Sequence, residues 1–158
     1  MRMLQLVSES AIVPRLKATQ RDEVIIELVD ALVSSGAAPA KLRDELVKSV
    51  LERERRGSTG FGRGVAVPHV KHLSVKTMAA AIGLSERGVD FNSLDKQPVF
   101  SVFLLLSPED RPEEHLQAME VIFKNLSKDT FRRFLRQAAS VDEVKTLLEE
   151  ADNQLLAG

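Results

Sequence analysis

The chain contains no cysteine, tryptophan or tyrosine. Without cysteine, disulfides, thiolate metal sites and cysteine nucleophiles are excluded. Phenylalanine is then the only large aromatic residue on which nucleic-acid bases could stack, and the formal net charge of -1 gives no attraction to nucleic acid or anionic lipid. We therefore expect no nucleic-acid partner. The uncharged nitrogen nucleophiles that remain are the imidazoles of His69, His72 and His115.

Long hydrophobic runs are also lacking. The longest, residues 78–84 and 99–106, fall far short of the roughly 20 residues that a membrane-spanning helix needs. The first ten residues, MRMLQLVSES, contain no apolar stretch followed by a small-residue cleavage site, so no signal peptide is predicted. We expect a cytoplasmic protein with no membrane insertion.

The pattern of apolar residues predicts one α/β domain over residues 1–158, because no repeat, low-complexity tract or long polar linker divides the chain. Apolar residues at helical spacing predict helices over residues 20–33, 39–55, 112–126, 128–138 and 141–150. Short apolar segments, partly β-branched, predict strands at residues 11–16, 65–67, 77–84 and 99–106. This order of elements favours a sheet covered by helices in layers, with the strand order left open.

Local signals mark the helix ends. Gly36 is predicted to end the first long helix in a left-handed turn. Side-chain caps are predicted at the starts of three helices, at Thr19, at Ser127, and at Ser140 with Glu143 as a capping box.

The segment most indicative of function is GSTGFGRGVAVPH, residues 57–69. Its glycines allow the backbone to approach a ligand closely, and exposed N–H groups in such a loop can form an anion-binding concavity. The segment is not a Walker motif, since no Gly-Lys-Ser or Gly-Lys-Thr follows. We predict that Gly60, Gly62, Arg63 and Gly64 bind phosphate.

His69 stands at the end of this segment, directly after Pro68. The proline fixes its own φ and biases Val67 to extended backbone, so His69 leaves the predicted strand in a restricted direction. A rigidly held neutral imidazole is a good nucleophile toward phosphorus, and the N–P bond that forms stays labile enough for onward transfer.

Phosphoryl transfer also needs positive charge around the equatorial oxygens. The sequence offers Arg63 within the glycine-rich segment, and Arg53, Arg55 and Arg56 at the end of the preceding helix. Cations at a helix C-terminus stabilise the helix dipole, and we assign that role to Arg55 and Arg56.

These residues resemble the EIIA domains of the bacterial phosphotransferase system, of the fructose/mannitol type, and the nitrogen-regulatory branch is most similar. The resemblance spans nearly the whole chain. Beyond the glycine-rich segment ending in VAVPH, it includes Asp90-Phe91, Gln97-Pro98-Val99, the strand VFLLLSPED and the helix opening Glu114-His115-Leu116.

The resemblance implies a mixed sheet flanked by helices in a layered sandwich. It also implies that His69 is the phosphorylated histidine, that His115 is the second active-site histidine and that Arg53 pairs with the active histidine. The donor would be phosphohistidine HPr or a paralogue, and the acceptor an EIIB domain or a regulatory protein. No ATP, metal or other cofactor is expected.

Two positions depart from the family pattern. Arg63 stands where the family usually has asparagine or a similar polar residue, and Val70 stands where glycine often follows the active histidine. Neither change removes a reacting group, so the expected activity is kept and only the choice of partner is affected. The alternatives within the family are an EIIA component of a fructose/mannitol-type sugar transporter and a docking module that has lost phosphotransfer.

A zinc site is the alternative from another class. His69, His72 and His115 could supply three imidazoles and leave one position open for hydrolysis, with Glu113 or Glu114 as general base. The glycine-rich segment would have no purpose in such a site, so we rank this alternative below phosphotransfer.

Overall fold

Two apolar segments from the middle of the chain form the central strands of a sheet. The computed structural model describes residues 1–156. Within these residues the helices are α1 (Met3–Leu6), α2 (Arg21–Ser34), a 3₁₀ turn (Ala40–Leu42), α3 (Arg43–Arg56), α4 (Pro112–Leu126), α5 (Asp129–Gln137) and α6 (Val141–Asp152). The strands are β1 (Val7–Val13), β2 (Gly60–Gly62), β3 (Val65–Ala66), β4 (His69–His72), β5 (Ala79–Val89) and β6 (Val99–Pro108).

The sheet is mixed. In the part of the chain that the structure describes it has six strands, in the order β1-β5-β6-β3-β2, with β4 also paired to β6. β1 runs parallel to β5, β5 antiparallel to β6, and β3 and β4 both parallel to β6. The predicted α/β sandwich is therefore confirmed, although residues 157–158 of the predicted domain lie outside the described residues.

Two hydrophobic cores lie on opposite faces of this sheet. Successive residues of β6 alternate between them, with Phe103 and Leu105 in the core under α4, α5 and α6, and Leu104 and Leu106 in the core under α2 and α3. Because both faces of β6 are covered, its sequence is a continuous apolar run rather than an alternating one. No helix within residues 1–156 has the length and apolar character needed to cross a membrane.

The helix ends confirm two of the predicted signals in whole or in part. Gly36 adopts φ +83°, and the amides of Ala37 and Gly36 donate to the carbonyls of Leu32 and Val33, each at 3.0 Å. This is the Schellman arrangement that ends a helix at glycine. The Ser140 hydroxyl accepts from the amide of Glu143 at 3.1 Å, but the Glu143 carboxylate reaches the amide of Ala139, so the box is not reciprocal.

The other two predicted caps were wrong. α2 begins after Gln20, which has extended backbone and no side-chain cap, so Thr19 lies one residue too early. α5 begins after Lys128, and Ser127 instead ends α4, where its hydroxyl donates to the carbonyl of Lys124 at 2.8 Å. In both places the backbone enters the helix one residue later than a short polar side chain suggests.

The glycine-rich segment is a β-hairpin rather than an open loop. β2 pairs antiparallel with β3, and the two residues between them, Arg63 and Gly64, have φ of +60° and +78°. Positive φ at both central residues is typical of the tight turn that matches the twist of a hairpin. The Gly64 carbonyl accepts from the amides of Phe100 and Ser101 at 2.8 and 3.1 Å, which fixes the tip against the start of β6.

Candidate functional site

His69 is the first residue of β4 rather than the last residue of a strand. β3 and β4 pair with the same strand, since Val65 lies beside Ser101 and His69 beside Leu105. Pro68 separates the two short strands because it has no N–H to donate, while its carbonyl accepts from the amide of Leu105 at 2.9 Å. The chain therefore stays paired with β6 across the proline, and His69 remains part of the sheet.

The His69 ring has a defined orientation. Its Nδ1 lies 2.8 Å from the carbonyl oxygen of Val67. A carbonyl can only accept, so Nδ1 carries the hydrogen and Nε2 of the neutral ring keeps its lone pair. Burial lowers the pKa of His69, the Val67 hydrogen bond opposes that shift, and the charges of Arg53 and Lys71 lower the pKa further. The neutral, nucleophilic form is therefore the one favoured near pH 7.

His115 faces His69 from the first turn of α4. The two ring centroids are 5.6 Å apart and the planes are tilted by 49°. The Nδ1 of His115 lies 2.7 Å from the hydroxyl of Ser107, a fully buried residue of β6. Burial lowers the pKa of His115, and the charges of His69 and Lys71 lower it further. This places a second neutral imidazole beside the first.

Positive charge surrounds the two rings. They line an open cavity of about 630 Å³, which we call the His69 cavity, with Arg53, Arg56, Val70, Lys71 and Glu109. The guanidinium of Arg53 is held by a hydrogen bond from Nη1 to the carbonyl of Gly57 at 2.9 Å. Three permanent cations against one carboxylate make the cavity suited to an anion such as a phosphoryl group.

A chain of buried hydrogen bonds leads to the His69 ring. Glu54 is only 2% exposed, and its carboxylate accepts from the amide and the hydroxyl of Thr59 at 2.8 and 2.6 Å. The Thr59 carbonyl accepts from the amide of Val67 at 3.2 Å, and the Val67 carbonyl accepts from His69. Glu54 thus fixes the backbone that orients the imidazole.

The sequence matches a known protein family over nearly its whole length. The family described as phosphoenolpyruvate-dependent sugar phosphotransferase system, EIIA 2, matches residues 5–151. The chain belongs to this EIIA family.

Relatives of this EIIA domain include both sugar-specific and regulatory proteins. A fructose-specific EIIABC component of Bacillus subtilis is 33% identical over 96% of the chain, but the chain spans only 24% of that protein. A nitrogen regulatory protein of Bradyrhizobium diazoefficiens is 32% identical over 94% of the chain and 95% of the relative. The crystal structure of the nitrogen regulatory protein IIA-Ntr of Neisseria meningitidis has a TM-score of 0.82 at 29% identity, covering 91% of this chain and 97% of that one.

Three of the predicted site residues meet in the EIIA domain. His69, His115 and Arg53 line one cavity. The sequence did not predict that Lys71 and Glu109 line this cavity. It assigned Arg56 to the helix dipole alone, whereas Arg56 also lines the cavity. The alternation of a strand could have indicated Lys71, because residues two apart share a face. Arg55, by contrast, lies 3.6 Å from the carboxylate of Asp22.

The four predicted phosphate-binding residues lie elsewhere. The lining of the His69 cavity, as far as residues 1–156 define it, includes none of Gly60, Gly62, Arg63 and Gly64. Arg63 and Gly64 form the hairpin tip, and His69 follows at the opposite end of the interrupted strand, about 13 Å of extended chain from Val65. The amide of Arg63 donates to the carboxylate of Asp95 at 3.0 Å instead of facing the imidazole.

His72 does not join the two other histidines. It accepts from the amide of Ser74 at Nδ1, at 3.0 Å, and its Nε2 lies 3.3 Å from the carboxylate of Glu45. His72 lies three positions after His69 in β4, so the two side chains leave opposite faces of the strand. The structure therefore does not assemble the three imidazoles that the zinc alternative requires, and no group of three metal-ligating side chains occurs within residues 1–156.

Proposed function

We propose that this EIIA domain is a phosphocarrier in which Nε2 of His69 accepts a phosphoryl group from a phosphohistidine protein. The observation that carries the proposal is the hydrogen bond from Nδ1 to the Val67 carbonyl, since it leaves the Nε2 lone pair as the available nucleophile. In the transfer, a bond forms between Nε2 and phosphorus while the donor's N–P bond breaks, and that electron pair stays on the donor nitrogen. No ATP or metal takes part.

The cations of the cavity stabilise the transferring group. Arg53, Arg56 and Lys71 line the same cavity as the nucleophile, where they neutralise charge on the phosphoryl oxygens. His115 donates from its own Nε2–H when the Ser107 hydroxyl donates to its Nδ1. Burial lowers the pKa of both imidazoles, which favours this division of roles, since neither ring needs to be charged.

The proposed partners are proteins. The donor is an HPr-like phosphocarrier, and the acceptor is an EIIB domain or a regulatory protein, which puts the carrier in the cytoplasm. Leu116, which follows His115 on α4, is 59% exposed and offers an apolar contact to a partner protein. Similarity to the Neisseria IIA-Ntr structure favours a regulatory acceptor, whereas the Bacillus EIIABC relative supports the sugar-transport alternative.

Incubation with phosphorylated HPr, followed by intact-protein mass spectrometry, tests the proposal. We expect the wild type to gain one phosphate, and NMR of the ring to place it on Nε2. The variant His69→Ala should gain none, while the matched variant His72→Ala should be modified like the wild type. A phosphate on the His69→Ala protein would contradict the assignment, and no phosphate on the folded wild type would leave the docking alternative.

A further inference from the structure

A second cationic cavity lies at the other end of β6. Its volume is about 540 Å³, and it opens between the tip of the glycine-rich hairpin, the start of β6 and α5. We call it the arginine cavity, after the residues that carry the argument: Arg63, Phe100, Asp129, Arg132, Arg133 and Arg136. It contains Arg63 and Gly64, two of the four hairpin residues that the His69 cavity lacks.

The arginine cavity has far more positive than negative charge. Among its lining residues in the described chain there are four guanidinium groups and one carboxylate, that of Asp129, which pairs with Arg132. The chain as a whole has a net charge of -1, so this concentration of arginine is local. The nearby carboxylate of Asp95 accepts from the backbone amide of Arg63 and faces Gly62.

Two of the four guanidinium groups are held in place. Arg132 donates to the carbonyl of Leu126 at 2.7 Å, and Arg136 lies over the ring of Phe100 with its central carbon 3.5 Å from the centroid. Arg63 occupies a left-handed turn position, φ +60°, where asparagine or glycine is the ordinary choice. Arginine is unfavourable in this backbone conformation. Its presence at the mouth of an arginine-lined cavity therefore indicates a role for its side chain.

The two cavities are separate along the sheet. Ser101 lines the arginine cavity and pairs with Val65, whereas Leu105, four residues on, pairs with His69. That distance is about 13 Å of strand. One phosphate group cannot contact both sets of residues.

We propose that the arginine cavity binds a small molecule carrying a phosphate or diphosphate group. Guanidinium groups match phosphate oxygens with paired N–H donors, and several of them together favour a ligand with several anionic oxygens. A volume of about 540 Å³ lies in the range of small-molecule sites. This site is independent of the phosphocarrier activity.

Titration of the ¹⁵N-labelled full chain with inorganic pyrophosphate, and separately with a hexose phosphate, tests the site. The amides of Gly64, Ser101 and Arg133 should shift, with saturation, at concentrations that leave those of His69 and Lys71 in place. Tighter binding of the hexose phosphate would identify an organic phosphate as the ligand, and tighter binding of pyrophosphate an inorganic one. Either result supports the proposal.

The variant pair Arg63→Asn and Arg133→Gln measures the contribution of the charges. Each should weaken binding about tenfold, because a charge-assisted hydrogen bond is lost. Asparagine tolerates the left-handed turn, so the hairpin should be kept. Lys48→Gln, which removes an exposed charge from α3 on the opposite face, is the matched control and should bind like the wild type.

Three results would overturn the proposal. The first is shifts confined to the residues around His69, and the second is equal binding by the wild type and both arginine variants. The third is equal binding of citrate, which would show a general polyanion surface rather than a phosphate site. Because no phosphoryl transfer is measured, failure here leaves the proposed function of His69 untouched.

Discussion

The two cavities at the ends of β6 are both rich in cations, but they differ in what those cations accompany. The His69 cavity combines arginine and lysine with two half-buried imidazoles, whose pKa values are lowered chiefly by burial. The arginine cavity has four guanidinium groups and one carboxylate beside an aromatic ring, and its described lining residues include no imidazole. Guanidinium stays protonated and has no available lone pair, so it can bind an anion but cannot accept a phosphoryl group. Positive charge makes both cavities suited to an anion, and a neutral imidazole, a suitable nucleophile, lines only the His69 cavity among the described residues.

Among changes that keep His69, removal of one cation from the His69 cavity should have the largest effect. Arg53→Gln is expected to slow phosphoryl uptake from phospho-HPr by about 10²- to 10³-fold, the usual loss when a donor to transition-state charge is removed. Rapid-quench kinetics measure the rate, with Lys48→Gln as the control for loss of a distant charge. A rate within twofold of the wild type would remove Arg53 from the proposed mechanism.

The second imidazole should matter less than the cation. His115→Ala is expected to slow uptake by about 10- to 100-fold, while His69 remains modifiable, because one hydrogen-bond donor to the phosphoryl group is lost. Ser107→Ala should slow uptake less. It removes only the hydrogen bond to Nδ1 that sets which ring nitrogen of His115 carries the hydrogen. An unchanged rate in His115→Ala would assign that ring a structural role.

Acid should slow phosphoryl uptake by protonating the nucleophile, His69. Burial lowers the pKa of His69 from the usual 6.5, so the ring is neutral above that lowered value and protonated below it. The uptake rate should therefore be level at pH 7 to 8 and fall about tenfold for each further unit of acid below the lowered pKa. In Arg53→Gln the midpoint should move upward, toward 6.5. A midpoint above 6.5 in the wild type would contradict the neutral-imidazole mechanism.

The buried Glu54 hydrogen bonds beneath the His69 ring should contribute to the free energy of unfolding. Glu54→Gln replaces an acceptor of two hydrogen bonds by an amide that cannot accept both with the same atoms, so the free energy of unfolding should fall by about 1–3 kcal/mol. Urea denaturation measures this, and Glu52→Gln, an exposed change on the same helix, is the control. Equal stability of the two variants would show that the Glu54 contacts are not needed to hold the backbone before His69.

The smallest effect is expected at the hairpin tip. Arg63→Asn should change the free energy of unfolding by no more than about 0.5 kcal/mol, because asparagine accepts φ near +60°. Arg63→Val at the same position should cost about 1–2 kcal/mol, since a β-branched side chain is strained there. Thermal unfolding compares the two, and a large loss in Arg63→Asn would mean that the guanidinium serves the fold rather than a ligand.

Local pattern predicted most of the elements but not their ends. The helical spacing of Val24, Leu28 and Leu32 indicated α2, and glycine at position 36 indicated its end, because both depend on contacts within one or two turns. The short helix α1 was missed, since its buried residues Met3 and Leu6 gain their environment from the distant α6. The hairpin was read as a loop because three-residue strands lack a periodic signal.

By itself the sequence determined the nucleophile candidate. Proline before His69 restricts the backbone locally, and the absence of cysteine leaves few other side chains that can act as a nucleophile. It also determined the cationic character of the segment around it. Only the tertiary structure decided how those cations are divided, since the division depends on the pairing of β3 and β4 with the distant β6. That pairing, together with the packing of α3 against β4, brings Arg53, Arg56 and Lys71 beside the imidazole and Arg63 beside the arginines of α5. Spacing along the chain indicates only that Lys71 shares a strand face with His69.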